Sequence, residues 1–345
     1  MKTLTVYNGR FQPIHIGHLH TIQCALQTSD YVLVTVGSAN RPRTAKNPFT
    51  YEERVLFIQK ALGALAERVF FAPMNDYLYD DQRWVEQMTQ AGQTFAKKVG
   101  AHIITLTGHH KDASSYYLKL FPHWRLSEQP AYQDENGLLN ATDLRNAFYG
   151  EQDLSRWGDA IKKEILSWKE RHKDIFQAMQ RENTVVQKYQ EALRKGAKEF
   201  GYTISVPCVD ALVTAGRKVL LVQRHQAPGA GLWAMPGGHI DAGETSRQAL
   251  VRELGEETGL GVPANLFGQG HVFDHPSRSE RGWVRTEVFA AQLPNPELPR
   301  VDGDEIRDAQ WFDVDALDPK MMFEDHFDII QEMWCRTPQL ATQVA

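Results

Sequence analysis

The chain has 345 residues, a length that predicts two domains rather than one. Hydrophobic residues make up 42% and charged residues 23%, the balance of globular protein with enough apolar material for two cores. A net charge of −5 argues against non-specific nucleic-acid binding but not against nucleotides, whose phosphates need only a few local cations or metals.

In chain order, residues 3–8 (TLTVYN) and 31–37 (YVLVTVG) read as buried strands, with an apolar-periodic helix over 17–28 between them. This is a βαβ unit of the kind that builds a parallel sheet. Helices are expected over 51–65 and 83–99, then a strand at 102–107. The charged, amphipathic stretch 154–200 reads as closing helices and a connector. From Thr203 strands are expected at 206–213 and 218–223, then a Gly/Pro-rich loop at 228–238 and a helix carrying several acids. Further strands are expected near 269–275, 283–292 and 309–314, with a last helix around 320–335. The boundaries implied are 1–182 for a first domain, 183–202 for a helical connector and 203–345 for a second domain. Cys24, Cys208 and Cys335 are odd in number and far apart, as free thiols in a reducing cytosol would be. The N-terminal MKTLTVYNGRF has no apolar signal core, and no run approaches a membrane span. The expectation is a cytoplasmic protein without membrane or nucleic-acid partner, in which a homo-oligomer is left open.

Two segments carry chemistry. The first, Asn8-Gly9-Arg10-Phe11-Gln12-Pro13-Ile14-His15-Ile16-Gly17-His18, follows the first strand and opens the first helix. A helix N-terminus offers unpaired N–H groups and a positive dipole end, so it receives phosphate. His15 and His18 are three apart and can face one phosphate, and Arg10 adds a permanent charge. The second is the run 238–260, GHIDAGETSRQALVRELGEETGL. On a helix Glu253, Glu256 and Glu257 fall within about a 100° arc. They repel one another unless a hard divalent cation sits among them. Leu250, Val251 and Leu254 supply the packing stripe, and Gly259 falls where a helix C-cap is expected.

The first string resembles the HxGH motif of nucleotidylyltransferases. With Asn47-Pro48-Phe49-Thr50, Glu53-Arg54, and Gly108-His109-His110-Lys111-Asp112, it is similar to the nicotinamide mononucleotide adenylyltransferases of archaeal type. Leu139-Asn140-Ala141-Thr142-Asp143-Leu144-Arg145 resembles that family's ISxTxxR motif, with Asn140 in place of serine. The resemblance implies a Rossmann-like domain in which His15, His18, Arg10 and Arg145 stabilise phosphate charge. Gly9, Phe11, Gly108, Asp112 and Thr142 would line the nucleotide site. Asp76 and Trp84 would hold the nicotinamide nucleotide, with stacking on the indole; the alternative for Trp84 is a core aromatic on its helix.

The second run matches every defined position of the Nudix hydrolase signature, which implies an α/β/α sandwich that cleaves nucleoside diphosphate derivatives. By carry-over Glu253, Glu256 and Glu257 hold Mg²⁺, for which Mn²⁺ can substitute. Glu253 and Glu257 are then catalytic, Arg252 orients a glutamate and Glu244 is structural. Glu305 is a candidate base or a loop acid. The stretch 273–282 resembles the segment after the box in ADP-ribose pyrophosphatases, where Arg278 and Arg281 would contact phosphate or ribose, or else be surface cations. Trp283 departs from that pattern.

Both modules in this order resemble the bifunctional nicotinamide mononucleotide adenylyltransferase/ADP-ribose pyrophosphatases of bacteria. ATP, nicotinamide mononucleotide and ADP-ribose are the implied ligands. The alternatives are nicotinate mononucleotide in the first site and NADH or dinucleoside polyphosphates in the second, or a Nudix module that senses ADP-ribose without cutting it.

Overall fold

The computed structural model describes residues 1–109, 113–135, 137–301 and 304–336. It divides into two compact units, Met1–Gln180 and Arg181–Ala345. No described helix is long and apolar enough to cross a membrane.

The first unit is built on five parallel strands: β1 (Lys2–Gly9), β2 (Tyr31–Val36), β3 (Val69–Pro73), β4 (Ala101–Gly108) and β5 (Arg125–Glu128), in the order β3-β2-β1-β4-β5. Helices α1 (Ile16–Thr28), α2 (Tyr51–Leu62) and α3 (Asp81–Val99) connect them. Alternate residues of β1 serve two cores, because successive strand side chains face opposite ways. Leu4 and Val6 join Leu33, Met88 and Leu106, whereas Tyr7 joins Ile22, Val34, Phe57 and Trp157. Burial on both faces explains why these strands read as continuous apolar runs.

A capping box starts α2: Thr50 Oγ1 accepts from Glu53 N, and Glu53 Oε2 accepts from Thr50 N at 2.8 Å. Strands β3 and β5 were not among the expected elements. β3 (VFFAP) follows a 3₁₀ turn at Gly63–Arg68 with no break in composition, and RLSE in β5 carries no apolar run. A short ribbon, β6 (Gln133–Asp134) with β7 (Gly137–Leu138), precedes α4 (Ala141–Tyr149), α5 (Asp159–Arg171) and the long α6 (Lys173–Phe200).

The second unit holds a seven-stranded mixed sheet. Its strands are β8 (Val206–Ala215), β9 (Lys218–Arg224), β10 (Trp233–Ala234), β11 (Gly237–His239), β12 (His271–Phe273), β13 (Val284–Gln292) and β14 (Ile306–Asp313). β8 and β13 run parallel and the other pairs antiparallel. Helix α7 (Ser246–Thr258) buries Ala249, Leu250 and Leu254 against Val209, Val213 and Phe289. It begins on a Thr245–Gln248 capping box and ends at Gly259 in the left-handed conformation, φ 67°, the C-cap expected there.

The last helix, α8 (His326–Arg336), is shorter than expected, since Pro319–Met321 forms a separate 3₁₀ turn. Residues 183–202, expected as a connector, belong mostly to α6 and pack within this unit. Val186 is buried there, and Gln190 Nε2 donates to Glu280 O at 2.8 Å.

Candidate active sites

Between β1 and β4 the strand order of the first unit reverses, and open α/β sheets bind ligands at the carboxyl ends of such a pair. Those ends are Gly9 and Gly108. The loop from Gly9 to α1 is held from below by Arg54, which is 1% exposed. Its Nη1 donates to the carbonyls of Arg10 and Gly37, both at 2.6 Å, and Nε donates to Thr50 O at 3.1 Å. The Gln12 amide exchanges two hydrogen bonds with the Phe49 main chain.

Phe11, an expected substrate contact, instead turns its ring into the core and is 1% exposed. It sits at φ 52°, and its ring meets Tyr7 and His18 edge-on at 5.6 and 4.8 Å. A side chain at Gly9 would lie 2.9 Å from that ring, so glycine is what lets Phe11 fold under the loop. Phe11 therefore supports His18, and only its backbone is left for a ligand.

The His15 and His18 rings lie 3.7 Å apart, centre to centre. His18 Nδ1 accepts from His15 N at 3.2 Å, which leaves the proton of a neutral ring on Nε2. Burial and the nearby His109 push the His15 imidazole down to about 3; burial, then His15 and His109, push His18 down too. Both rings are accordingly neutral at pH 7 and act as N–H donors. Among the described residues, His15 Nδ1 is buried without a hydrogen-bond partner.

Arg145 on α4 reaches this loop: Nη1 donates to Gln12 O at 2.6 Å and Nη2 to Thr142 Oγ1 at 3.1 Å. Asn140, which replaces the motif serine, caps α4 through Thr142 N at 2.9 Å. Arg10 is exposed beside the loop. Asp76 pairs with Arg41 at 3.3 Å, and its main-chain N and O are bound by Asn40. Trp84 is half-buried, edge-on to Tyr117 at 5.8 Å and close to Phe121 at 6.2 Å. The core side of the Trp84 alternatives is thus present, with part of the ring still exposed. Asp112 lies outside the described residues. His109, absent from the expected site residues, is close enough to shift both histidines; its place next to Gly108 at the end of β4 was the signal.

In the second unit α7 and β11 build an acid cleft of about 440 Å³, lined by Asp241, Glu253, Glu256, Glu257, Asp304 and Glu305, with Arg252. Arg252 organises it. Nε and Nη2 grip Glu244 at 2.8 and 2.9 Å, while Nη1 donates to Glu253 at 2.9 Å and Glu256 at 3.1 Å. Glu244 thereby acts through Arg252, the structural part expected of it. Gly238 lets the strand approach Glu253, whose carboxylate would lie 2.4 Å from a Cβ. Gly237 N donates to Glu257 Oε2 at 2.9 Å. Burial raises the carboxyl of Glu253, and pushes Glu257 up to about 8.

Hard oxygen donors crowded in one cleft, two with ionisation suppressed by burial and only one guanidinium among them, fit a divalent cation. Among the described residues no three such donors already converge on one point, because Arg252 draws Glu253 and Glu256 to itself.

Beside the cleft a second cavity of about 250 Å³ shares Gly238, His239, Glu257, Glu305 and Ile306 with it. Arg278 and Arg281 line this cavity and are not surface cations. Arg278 is 4% exposed and donates twice to Asp325, at 2.9 and 3.0 Å, and Arg281 pairs with Glu324 at 3.2 Å. Their acidic partners lie more than 40 residues away in sequence, so no local pattern announces them.

The folds and sites define a Rossmann-like nucleotidyltransferase and a Nudix hydrolase in one chain. Residues 6–109 match the cytidylyltransferase-like family model and 202–333 the NUDIX domain model. The chain is 43% identical over 145 residues to a nicotinamide/nicotinic acid mononucleotide adenylyltransferase of Acinetobacter baylyi, covering 42% of this chain and 74% of that one. It is 40% identical over 126 residues to an ADP-ribose pyrophosphatase of Methanocaldococcus jannaschii, covering 36% and 70%. A crystal structure of a bifunctional NMN adenylyltransferase/ADP-ribose pyrophosphatase from Francisella tularensis, complexed with AMP and a manganese ion, superposes with a TM-score of 0.84. That match has 30% identity and covers 97% of this chain and 99% of the other. The chain belongs to this family of bifunctional NMN adenylyltransferase/ADP-ribose pyrophosphatases.

Proposed function

We propose that the first unit transfers the adenylyl group of ATP to nicotinamide mononucleotide, giving NAD and pyrophosphate, and that the second hydrolyses ADP-ribose to AMP and ribose 5-phosphate. The reading is carried by the match along 97% of the chain, which spans both sites at once.

In the first site the mononucleotide's 5′-phosphate attacks the α-phosphorus of ATP in line, and the bond to the β-phosphate oxygen breaks. The attacking phosphate is already ionised, so no general base is needed. The protein positions the two nucleotides and stabilises charge on the leaving pyrophosphate. His18 Nε2–H, His15, Arg10 and Arg145 supply those donors beside the N-terminus of α1. Arg145 is held in register by Gln12 O, so its charge stays near the loop. Gly9, Gly108, Thr142 and the Phe11 main chain shape the nucleotide pocket, and Asp76 and Trp84 meet the nicotinamide nucleotide.

In the second site Glu253, Glu256 and Glu257 would hold Mg²⁺, which polarises the diphosphate and lowers the pKa of attacking water. Arg252 fixes two of the three carboxylates, and Gly238 admits the strand. Arg278 and Arg281 present cationic walls in the adjoining cavity.

Product analysis tests both halves. ATP with nicotinamide mononucleotide should yield NAD and pyrophosphate, and ADP-ribose with Mg²⁺ should yield AMP. Glu257→Gln should abolish only the second reaction. An ADP-ribose incubation that binds ligand but releases no AMP would instead make the Nudix module a sensor.

A further inference from the structure

The sheet of the second unit begins at Val206, yet one wall of the cavity beside the acid cleft comes from before it. Tyr189, on α6, lines that cavity together with Cys208, Arg281, Val284, Gln226 and Ala227. Contacts on both sides of Tyr189 fix this stretch of helix. The Glu182 carboxylate accepts from Gly229 N at 2.9 and 3.0 Å and from Ala230 N at 3.3 Å, next to the cavity residues Gln226 and Ala227. Gln190 Nε2 donates to Glu280 O at 2.8 Å. Leu193 fills the space beside Gly282, where a Cβ would come within 2.4 Å of its Cδ1. Tyr189 nevertheless keeps 38% of its surface exposed.

Tyr189 borders the cavity and not the acid cleft. The cavity and the cleft share Gly238, His239, Glu257, Glu305 and Ile306, so a diphosphate engaged at the acids has the space that Tyr189 borders open to one of its two ends. Those ends differ in chemistry. Adenine is a flat π-surface and stacks on an aromatic ring, while ribose 5-phosphate offers hydroxyls and charge, whose match in this cavity would be Arg278 and Arg281, already paired with Asp325 and Glu324.

We infer that Tyr189 is a substrate-binding residue of the hydrolase, whose ring is the platform for the adenine of the AMP half. The base preference of the pyrophosphatase is thereby set in part by α6, outside the Nudix sheet. This rests on the ADP-ribose reading of the second site.

The test uses the full chain, as wild type, Tyr189→Ala, Tyr189→Leu and Tyr189→Phe. Wild-type cleavage of ADP-ribose comes first, and its failure would count against the reading of the site rather than against Tyr189. Given turnover, the Ala and Leu variants should raise KM for ADP-ribose roughly tenfold or more, with kcat within about threefold. Phe should restore KM to within about threefold of wild type. Product inhibition by AMP should weaken in the same proportion, while inhibition by ribose 5-phosphate stays unchanged. Adenylyl transfer should be the same in all four. Should the Ala variant fail to fold, the Leu variant, which keeps side-chain bulk without a ring, decides. The inference is overturned by a wild-type KM in the Leu variant, by a loss that Phe does not rescue, or by loss of ribose 5-phosphate inhibition in place of AMP.

Discussion

Replacing Gly238 with alanine puts a Cβ 2.4 Å from Oε1, 2.6 Å from Cδ and 2.7 Å from Oε2 of Glu253. Ordinary contact begins at 3.4 Å, so the carboxylate has to move by about 1 Å, the difference between 3.4 and 2.4. Glu253 has little freedom to absorb this, being 9% exposed and bonded to Arg252 Nη1 at 2.9 Å. A 1 Å displacement of a group at a reacting centre costs about 10²-fold in rate. The stability cost should be modest, about 1 kcal/mol for one strained hydrogen bond, because Glu244 still grips Arg252 at two points. Gly238→Ala should therefore lower kcat/KM for ADP-ribose about 10²-fold and shift the Mg²⁺ titration to higher concentration, with adenylyl transfer untouched. AMP release by the full chain, measured across a Mg²⁺ series, reads both effects. A variant that hydrolyses ADP-ribose within threefold of wild type at the same metal midpoint would refute the argument that the glycine exists to admit Glu253.

Three further outcomes are expected. His18→Ala should lower kcat for adenylyl transfer by 10²-fold or more while nucleotide KM changes little, since the donor acts on charge that develops in the transition state; steady-state kinetics checks the split. Arg54→Met should cost about 3 kcal/mol in denaturant unfolding, because the two carbonyls it meets at 2.6 Å are left without their donor at about 1–3 kcal/mol each. The stability of the first unit should fall with acid: burial, then His109, holds His15 down to about 3 against an ordinary 6.5, so the unfolded chain binds the proton first. The contribution is complete above pH 6.5 and lost as pH falls toward 3, and His15→Gln should flatten melting temperature against pH over that window.

Local chemistry was legible in the sequence and long-range partnership was not. Gly259 announced the end of α7, and the spacing of Glu253, Glu256 and Glu257 announced their shared face, because helical geometry alone decides both. The HxGH string correctly placed a loop between β1 and α1. It did not say that Phe11 would turn inward, which depends on Tyr7 behind it and on the missing side chain of Gly9. Arg278 read equally well as a surface cation, since its partner Asp325 is 47 residues away. Tyr189 sat in a charged helical stretch that read as a connector; its relation to the cavity is a property of tertiary packing. Strand β3 was hidden because five apolar residues after a 3₁₀ turn carry no period of their own.

The two sites meet phosphate with opposite electrostatics, and this follows from what each buries. Around the loop of the first unit the groups presented are donors: two neutral imidazoles, Arg10 and Arg145 beside a helix N-terminus. An anion lowers its own energy on arrival there, and the depressed histidines become easier to protonate once it is bound. Among the described residues the cleft of the second unit presents six acids and one guanidinium, and Arg252 is already shared among Glu244, Glu253 and Glu256. Two unit charges 4 Å apart interact by about 4 kcal/mol near a protein surface, so a diphosphate meeting those carboxylates without a cation faces repulsion of that order from each neighbour. Burial relieves part of this by keeping Glu257 protonated, but a protonated acid is a poor ligand. A divalent metal held there would ease both obstacles together, favouring the ionised form of Glu257 and offsetting part of the carboxylate charge. The fit of the second unit to a divalent metal therefore follows from packing Glu253 and Glu257 against Gly238 and Gly237 with Glu256 beside them, whereas the first unit presents donors to phosphate directly.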